Sequence, residues 1–311
     1  VMNVLPVLPA SAYRKGIAKR KLLVFLSCIP VLILALSFVI YNLSGRRLNG
    51  EEHRVELLSE KFAPQKSDGK KPAVLLLHGY GGSPYDFKPL IDAFDKQGIA
   101  YHAVLLPGHG SSPKDLNKVS SDELVNAALD AYDDLHEEYG EVIVAGFSMG
   151  GGLSLNVAGE RDPVGLVLFG AYVEVTRKWY YFGRAEDWAR RLHKIMPYVR
   201  KIGDMNINDP EGKKLYDSYH TLPVKTVMEL EKIGKEAKEK ADDIHCPVLW
   251  LHSREDIAAD YNAAKKCFDK IASDDKEFIT YEKSNHIILF DYDAEDAVKR
   301  TLEFMKRSSL K

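Results

Sequence analysis

The chain has little cysteine: three residues in 311, at positions 28, 246 and 267. So few thiols, so scattered, exclude a disulfide framework and a cysteine-rich zinc site, and the fold does not need an oxidising compartment. Charge of one sign is also missing, with 43 Lys and Arg against 45 Asp and Glu and a formal net charge of -2. That balance excludes nucleic acid as a partner held by phosphate neutralisation. There is no H-E-x-x-H motif, no closely spaced His/Cys set, no internal repeat and no low-complexity tract. A metal hydrolase is therefore disfavoured. The length allows two domains at most, or one large α/β domain with an appendage.

Charge is also absent locally. From Leu22 to Tyr41 the chain reads LLVFLSCIPVLILALSFVIY, twenty residues without a charged side chain, about the length a helix needs to cross the hydrocarbon core. We expect an uncleaved transmembrane anchor over residues 22–43; a cleaved signal peptide and a buried core helix are the alternatives. Bulky Phe38, Ile40 and Tyr41 argue against a cleavage site. Arg14, Lys15, Lys19, Arg20 and Lys21 precede the run, and Arg46, Arg47 and Arg54 follow it. Five cations against three predict a cytoplasmic basic segment (residues 1–21) and a domain outside, periplasmic or extracellular. Residues 44–72, polar and interrupted by Gly45, Gly50, Pro64, Gly69 and Pro72, read as a stalk with one short strand around Arg54 to Leu58.

From residue 73 to 311 the pattern is one of short apolar runs alternating with helical spacing. AVLLL (73–77), AYHAVLL (100–106), VIVAG (142–146), VGLVLFG (164–170), PVLWL (247–251) and EFITY (277–281) are apolar enough for strands buried on both faces,. Between them, Pro89 to Gln97, Asp122 to Tyr139, Met149 to Glu160, Tyr261 to Ile271 and Ala294 to Arg307 have helical periodicity, and Ser120 with Glu123 forms a capping box,. The expected fold class is α/β, a mainly parallel sheet with helices on both faces.

Gly146-Phe147-Ser148-Met149-Gly150 is a G-x-S-x-G between a strand and a helix, the context of a nucleophile elbow,. A serine hydroxyl needs a base, and the chain order Ser, acid, His narrows the choice. Of the histidines after Ser148, only His286 falls in a loop between the last strand and the last helix. The acid should follow PVLWL, where Asp256 is favoured, Glu255 stands in reserve and Asp260 is third. The glycine-rich loop His78-Gly79-Tyr80-Gly81-Gly82 ends the first strand. Its backbone N–H of Tyr80, with that of Met149, would form an oxyanion hole, and His78 would brace the loop. The loop lacks both the P-loop ending and the dinucleotide spacing, so a nucleotide is not expected.

HGYGGSPYDFKPL, LLPGHGSSP, AGFSMGG, LHSRED and KSNHIILFD, in this order, resemble the α/β-hydrolase superfamily over about residues 73–307, and in particular its bacterial carboxylesterase and monoacylglycerol lipase group. The resemblance implies an α/β-hydrolase fold and a serine hydrolase with Ser148 as nucleophile, Asp256 as orienting acid, His286 as base, and Tyr80 and Met149 at the oxyanion hole. It implies a small-molecule or lipid ester substrate and no cofactor or metal. Ser253 stands where the group often has glycine before the acid, which keeps Glu255 in view. The transmembrane run is a second departure. A serine peptidase or amidase of the same fold, and a non-catalytic binding protein, are the rival readings; oligomeric state is left open.

Ala171 to Cys246 is too long for an ordinary connection. It predicts a mostly helical cap at about residues 171–243. The cluster Trp179-Tyr180-Tyr181-Phe182 and the stripe Trp188, Leu192, Ile195, Met196, Val199 would either pack on the core or meet lipid. Residues 177–201 carry eight Lys or Arg against Glu186 and Asp187, a basic face suited to anionic headgroups.

Overall fold

The computed structural model describes residues 27–37, 60–177, 184–194, 196–200 and 206–308. The chain divides into two compact units, Val1–Asn49 and Gly50–Lys311. In the first, residues 27–37 are helical, and Ile29, Val31, Leu32, Ile33, Leu34 and Leu36 are exposed. The remainder of the expected 22–41 span and the strand expected at 54–58 lie outside the described residues. Among the described residues, no helix is long and apolar enough to cross a membrane.

The second unit is built on a seven-stranded sheet: β1 (Gln65–Ser67), β2 (Lys70–Leu77), β3 (Ile99–Val104), β4 (Val142–Phe147), β5 (Gly165–Phe169), β6 (Val248–Ser253) and β7 (Lys276–Tyr281). The spatial order is β1-β3-β2-β4-β5-β6-β7, all parallel except β1, which runs antiparallel along β3. The connecting helices are α1 (Lys88–Gln97), α2 (Ser121–Tyr139), α3 (Met149–Glu160), α4 (Tyr261–Lys270) and α5 (Ala294–Ser308).

The near-continuous apolar runs follow from burial on both faces. Leu75, Leu77, Val142 and Val144 join one core with Leu124, Ala128, Tyr132 and Leu135 of α2. Their neighbours in sequence, Val74, Leu76, Ile143 and Ala145, join another with Phe94 of α1 and Phe304 of α5. Successive side chains of a strand point to opposite faces, so neither face can tolerate a polar residue there. Truncating one such leucine to alanine costs about 2–5 kcal/mol. α2 starts at the expected capping box: Ser120 accepts from the Glu123 amide, and the Glu123 side chain accepts from the Ser120 amide.

Three expectations are corrected. The sheet begins at Gln65, inside the stretch 44–72 read as a stalk, because the polar segment Gln65–Ser67 pairs along the outer edge of β3. β7 is half-exposed along most of its length rather than buried on both faces, as suits the opposite edge. The stripe expected in the insertion does not enter the core: helix Ala185–Leu192 buries Glu186 and Ala189, Leu192 and Met196 are half-buried, and Trp188 and Val199 are exposed. The insertion, expected to be mostly helical, holds helices Ala185–Leu192, Pro210–Leu215 and Thr226–Glu239 and an antiparallel pair, Tyr198–Arg200 with Thr221–Pro223. Ile195 and the cluster 179–182 lie outside the described residues.

Candidate active site

The order of strand addition in the sheet reverses at β2. β3 lies on one side of it and β4 on the other, with Leu77 in register with Gly146. The loops after β2 and β4 therefore open side by side at the carboxyl edge, where α/β sheets place their ligands.

Ser148 caps α3 with φ 51° and ψ -116°, a conformation that costs a non-glycine residue about 1–3 kcal/mol. Neighbouring backbone holds it there: its amide donates to the Phe169 carbonyl at 3.0 Å, and its carbonyl accepts from Tyr172 at 2.9 Å. The flanking glycines are required by close approach. A Cβ at Gly146 would stand 2.2 Å from Ser154 Oγ, and one at Gly150 would stand 1.7 Å from the Leu77 carbonyl oxygen.

β6 and β7 deliver the two other candidates. His286 Nδ1 lies 2.7 Å from Asp256 Oδ2, and His286 Nε2 lies 2.8 Å from Ser148 Oγ. A carboxylate only accepts, so Nδ1 carries the proton and the Nε2 lone pair faces the serine hydroxyl. Asp256 Oδ1 accepts from the amides of Ala258 and Ala259, each at 2.8 Å. Burial pushes the Asp256 carboxyl upward in pKa, but His286, His252 and the Ala258 amide outweigh burial and hold it below the usual range. Glu255 is exposed, and Asp260 caps α4 by accepting from the Ala263 amide at 2.8 Å. Neither meets His286 in the way Asp256 does.

Tyr80 and Met149 sit on the two loops that meet at the β2–β4 edge, Met149 being the first residue of α3 and fully buried. The Gly79 amide donates to Asp86 Oδ2 at 2.9 Å, and the Gly81 amide to His109 Nε2 at 3.1 Å. His78 Nε2 accepts from Leu106 at 3.0 Å, the bracing role expected of it. Burial, then the nearness of His109, drives the His78 pKa well below its usual value; burial lowers that of His109 to about 4. Both rings are thus neutral struts. The insertion reaches the same loop: Tyr216 donates to Asp86 Oδ1 at 3.1 Å, the Tyr219 amide donates to the Gly81 carbonyl at 2.8 Å, and the Tyr219 ring stacks on His109.

Asp86, His109, Tyr216, Tyr219 and His252 were not singled out by sequence. Asp86 and His109 lie inside HGYGGSPYDF and LPGHG, so those motifs carried a signal. The two tyrosines lie in the insertion, with no local pattern to mark them.

A family model described as serine aminopeptidase, S33 (Hydrolase_4), matches residues 68–293, well over half of the chain. The chain belongs to this family. It is an α/β-hydrolase of the lipase and esterase type. It is 29% identical over 235 residues to a thermostable monoacylglycerol lipase of Bacillus sp. (strain H-257), covering 75% of this chain and 90% of the relative. A carboxylesterase of Bacillus subtilis (strain 168) is 24% identical over 242 residues, 77% of this chain and 94% of the relative. Among solved structures, one from work on the metagenome-derived lipolytic enzymes LipS and LipT superposes with a TM-score of 0.73 at 25% identity, covering 80% of this chain and 98% of the other.

The insertion's charge is less free than its sequence suggests. Arg184 pairs with Glu231 at 2.9 Å, Arg190 with Asp187 at 2.8 Å and also with Glu231, and Arg177 with Glu174 at 2.7 Å. Arg191 and Lys194 are exposed.

Proposed function

We propose that this hydrolase cleaves carboxylic esters of acylglycerol or lysophospholipid type through Ser148, His286 and Asp256. The observation that carries this reading is the hydrogen-bonded chain from Asp256 through His286 to Ser148. His286 takes the hydroxyl proton as Ser148 Oγ attacks the ester carbonyl, Asp256 holds the imidazole in its productive tautomer, and the amides of Tyr80 and Met149 stabilise the oxyanion. The leaving alcohol takes the proton from His286 and departs. Water, deprotonated by the same imidazole, then attacks the acyl-enzyme and releases the acid. No metal or cofactor enters this sequence. The lipid substrate class is supported by the names of the relatives, a monoacylglycerol lipase and a carboxylesterase. Residues 171–243 act as the cap that shapes the acyl site.

We also infer that the enzyme works at a membrane, anchored by the uncharged run 22–41 with its N-terminus cytoplasmic and residues 73–311 outside. The cation asymmetry about that run supports the orientation,.

The family description, serine aminopeptidase, favours one second reading, amide cleavage. A fluorophosphonate probe tests for the nucleophile, and p-nitrophenyl acyl esters against aminoacyl anilides test the bond. Covalent capture with turnover of esters alone is expected. Lack of labelling overturns the catalytic reading, and preferential anilide cleavage replaces esterase with peptidase. A chain-length series of monoacylglycerols alongside lysophospholipids then assigns the substrate.

A further inference from the structure

Asp256 faces a second imidazole besides that of His286. His252, fully buried on β6, brings Nε2 to 3.4 Å from Asp256 Oδ2, the oxygen already bonded to His286 Nδ1 at 2.7 Å. Its tautomer is set from both sides. Trp250 Nε1–H donates to His252 Nδ1 at 3.2 Å, and His252 Nε2 faces the Ala259 carbonyl oxygen at 3.1 Å. Indole nitrogen can only donate and a carbonyl can only accept, so Nδ1 is bare and Nε2 carries the proton. Burial lowers the pKa of His252, against the opposing pull of Asp256, and keeps the ring neutral.

The ring is also clamped. It stacks on Phe278 with centroids 6.2 Å apart and meets Tyr261 edge-on at 5.8 Å. The ionisable groups around it are Asp256 and His286, Asp260 at the cap of α4, and Tyr261, with Arg254 lying over the Tyr261 ring at 4.4 Å. The Nε2 proton is donated to the Ala259 carbonyl, and Asp256 Oδ2 stands 3.4 Å from the same nitrogen.

We propose that His252 is a positioning residue for ester hydrolysis: its Nε2–H, donated to the Ala259 carbonyl, holds the turn whose amides grip Asp256 and sets its dipole 3.4 Å from Oδ2, where it draws negative charge from the oxygen that pairs with His286. The proposal rests on the assignment of Ser148, His286 and Asp256 made above. Oδ1 is already saturated by the two amides of Ala258 and Ala259, so Oδ2 is the oxygen whose charge His286 feels. Removing the Nε2–H dipole leaves that oxygen more negative, changes its hold on the imidazolium formed at His286 during attack, and frees the turn that orients the carboxylate.

His252→Leu removes the donor; His252→Gln restores one, because its amide nitrogen reaches the place of Nε2. On the full chain, the measurements are the pH profile of kcat and kcat/KM for a p-nitrophenyl ester, Tm, and the low-field proton resonance of the His286–Asp256 bond. For the Leu variant, kcat should fall about tenfold with KM within about twofold. The acid limb of kcat/KM should move up by about half a pH unit or more, and the resonance should move downfield. The Gln variant should recover most of both effects. An unchanged kcat and acid limb in a folded Leu variant overturns the proposal. So does a fall in kcat that tracks Tm, with an unmoved acid limb and no recovery by Gln, since that marks packing alone. Nitrogen-15 shifts of His252 in the wild type give a check that does not depend on a variant folding: an Nδ1–H tautomer or a charged ring at pH 7 also overturns it. A wild type that resists the fluorophosphonate probe would instead undo the triad assignment itself, whereas a labelled, active wild type indifferent to position 252 sinks only His252.

Discussion

Ser253 Oγ donates to the carbonyl oxygen of Asn285 at 2.7 Å, tying the end of β6 to the loop that carries His286. Asn285 in turn accepts through Oδ1 from the His286 amide at 2.8 Å. Ser253 thus joins the two loops whose spacing sets the Asp256–His286 bond. Ser253→Ala should lower kcat about three- to tenfold and cost about 1 kcal/mol of stability, both from the lost hydrogen bond. Steady-state kinetics and urea unfolding check it; wild-type values for both would show that the bridge is idle.

The backbone of Ser148 offers a second test. Ser148→Ala should remove at least about a thousandfold of the ester turnover. Ser148→Gly should be as inactive but more stable than the wild type, by about 1 kcal/mol or more, because glycine adopts φ 51° without strain,. Calorimetry on the two variants separates the effects: equal Tm values would mean that the elbow stores no strain.

Asp256→Asn should reduce kcat about ten-thousandfold by presenting the wrong imidazole tautomer to Ser148. Glu255→Gln, exposed and remote from that bond, should leave kcat within about twofold of wild type,. Asp260→Ala should cost about 1 kcal/mol as a lost helix cap, with little change in kcat,. A damaging Glu255→Gln would move the acid by one residue.

Acid should destabilise the native state through its buried histidines. His109 falls from the usual 6.5 to about 4, and His78 and His252 shift the same way. Between these values the unfolded chain binds protons that the native chain refuses. Stability is therefore full above about pH 6.5 and declines toward pH 4, with His109 alone contributing about 3 kcal/mol of that loss. Denaturant midpoints at a series of pH values should show the decline, and His109→Gln, which does not titrate, should make it shallower. An equal slope in the two proteins would contradict the neutral-strut account.

For the insertion, the ion pairs of Arg184 and Arg190 leave Arg191 and Lys194 as the cations to test against a membrane surface. Reversing these two to Glu should weaken binding of a domain without residues 1–59 to anionic vesicles, and slow hydrolysis of vesicle-borne substrate about two- to fivefold at low salt. A soluble short-chain ester should be cleaved at the normal rate. Equal losses on both substrates would assign the segment to the substrate site instead.

The parallel sheet and the elbow were legible because each depends on residues adjacent in the chain. Doubly buried strands must be apolar throughout, and a strand-to-helix turn with glycine on both sides of Ser148 has one geometry open to it. His286 could be found because chain order left one histidine in a suitable loop. Asp256 could be favoured over Glu255 but not fixed, since which of two neighbours points inward depends on how the loop folds back onto Ala258 and Ala259. β1 was hidden because an edge strand can be polar, as Gln65–Ser67 is. The Tyr216 and Tyr219 contacts were invisible because they join positions more than a hundred residues apart.

Those two tyrosines divide the insertion into unequal parts. Tyr216 and Tyr219 are fastened to the loop after β2 through Asp86, Gly81 and His109, whereas the stretch from Ala185 to Leu192 is fastened instead to helix Thr226–Glu239. One part is a hinge-pin for the floor beneath Ser148; the other is roofing that rests on its neighbour. Under the proposed function, swapping the roofing while the pin stays should alter acyl preference, and a library that also randomises residues 216–219 should lose activity before its preference changes.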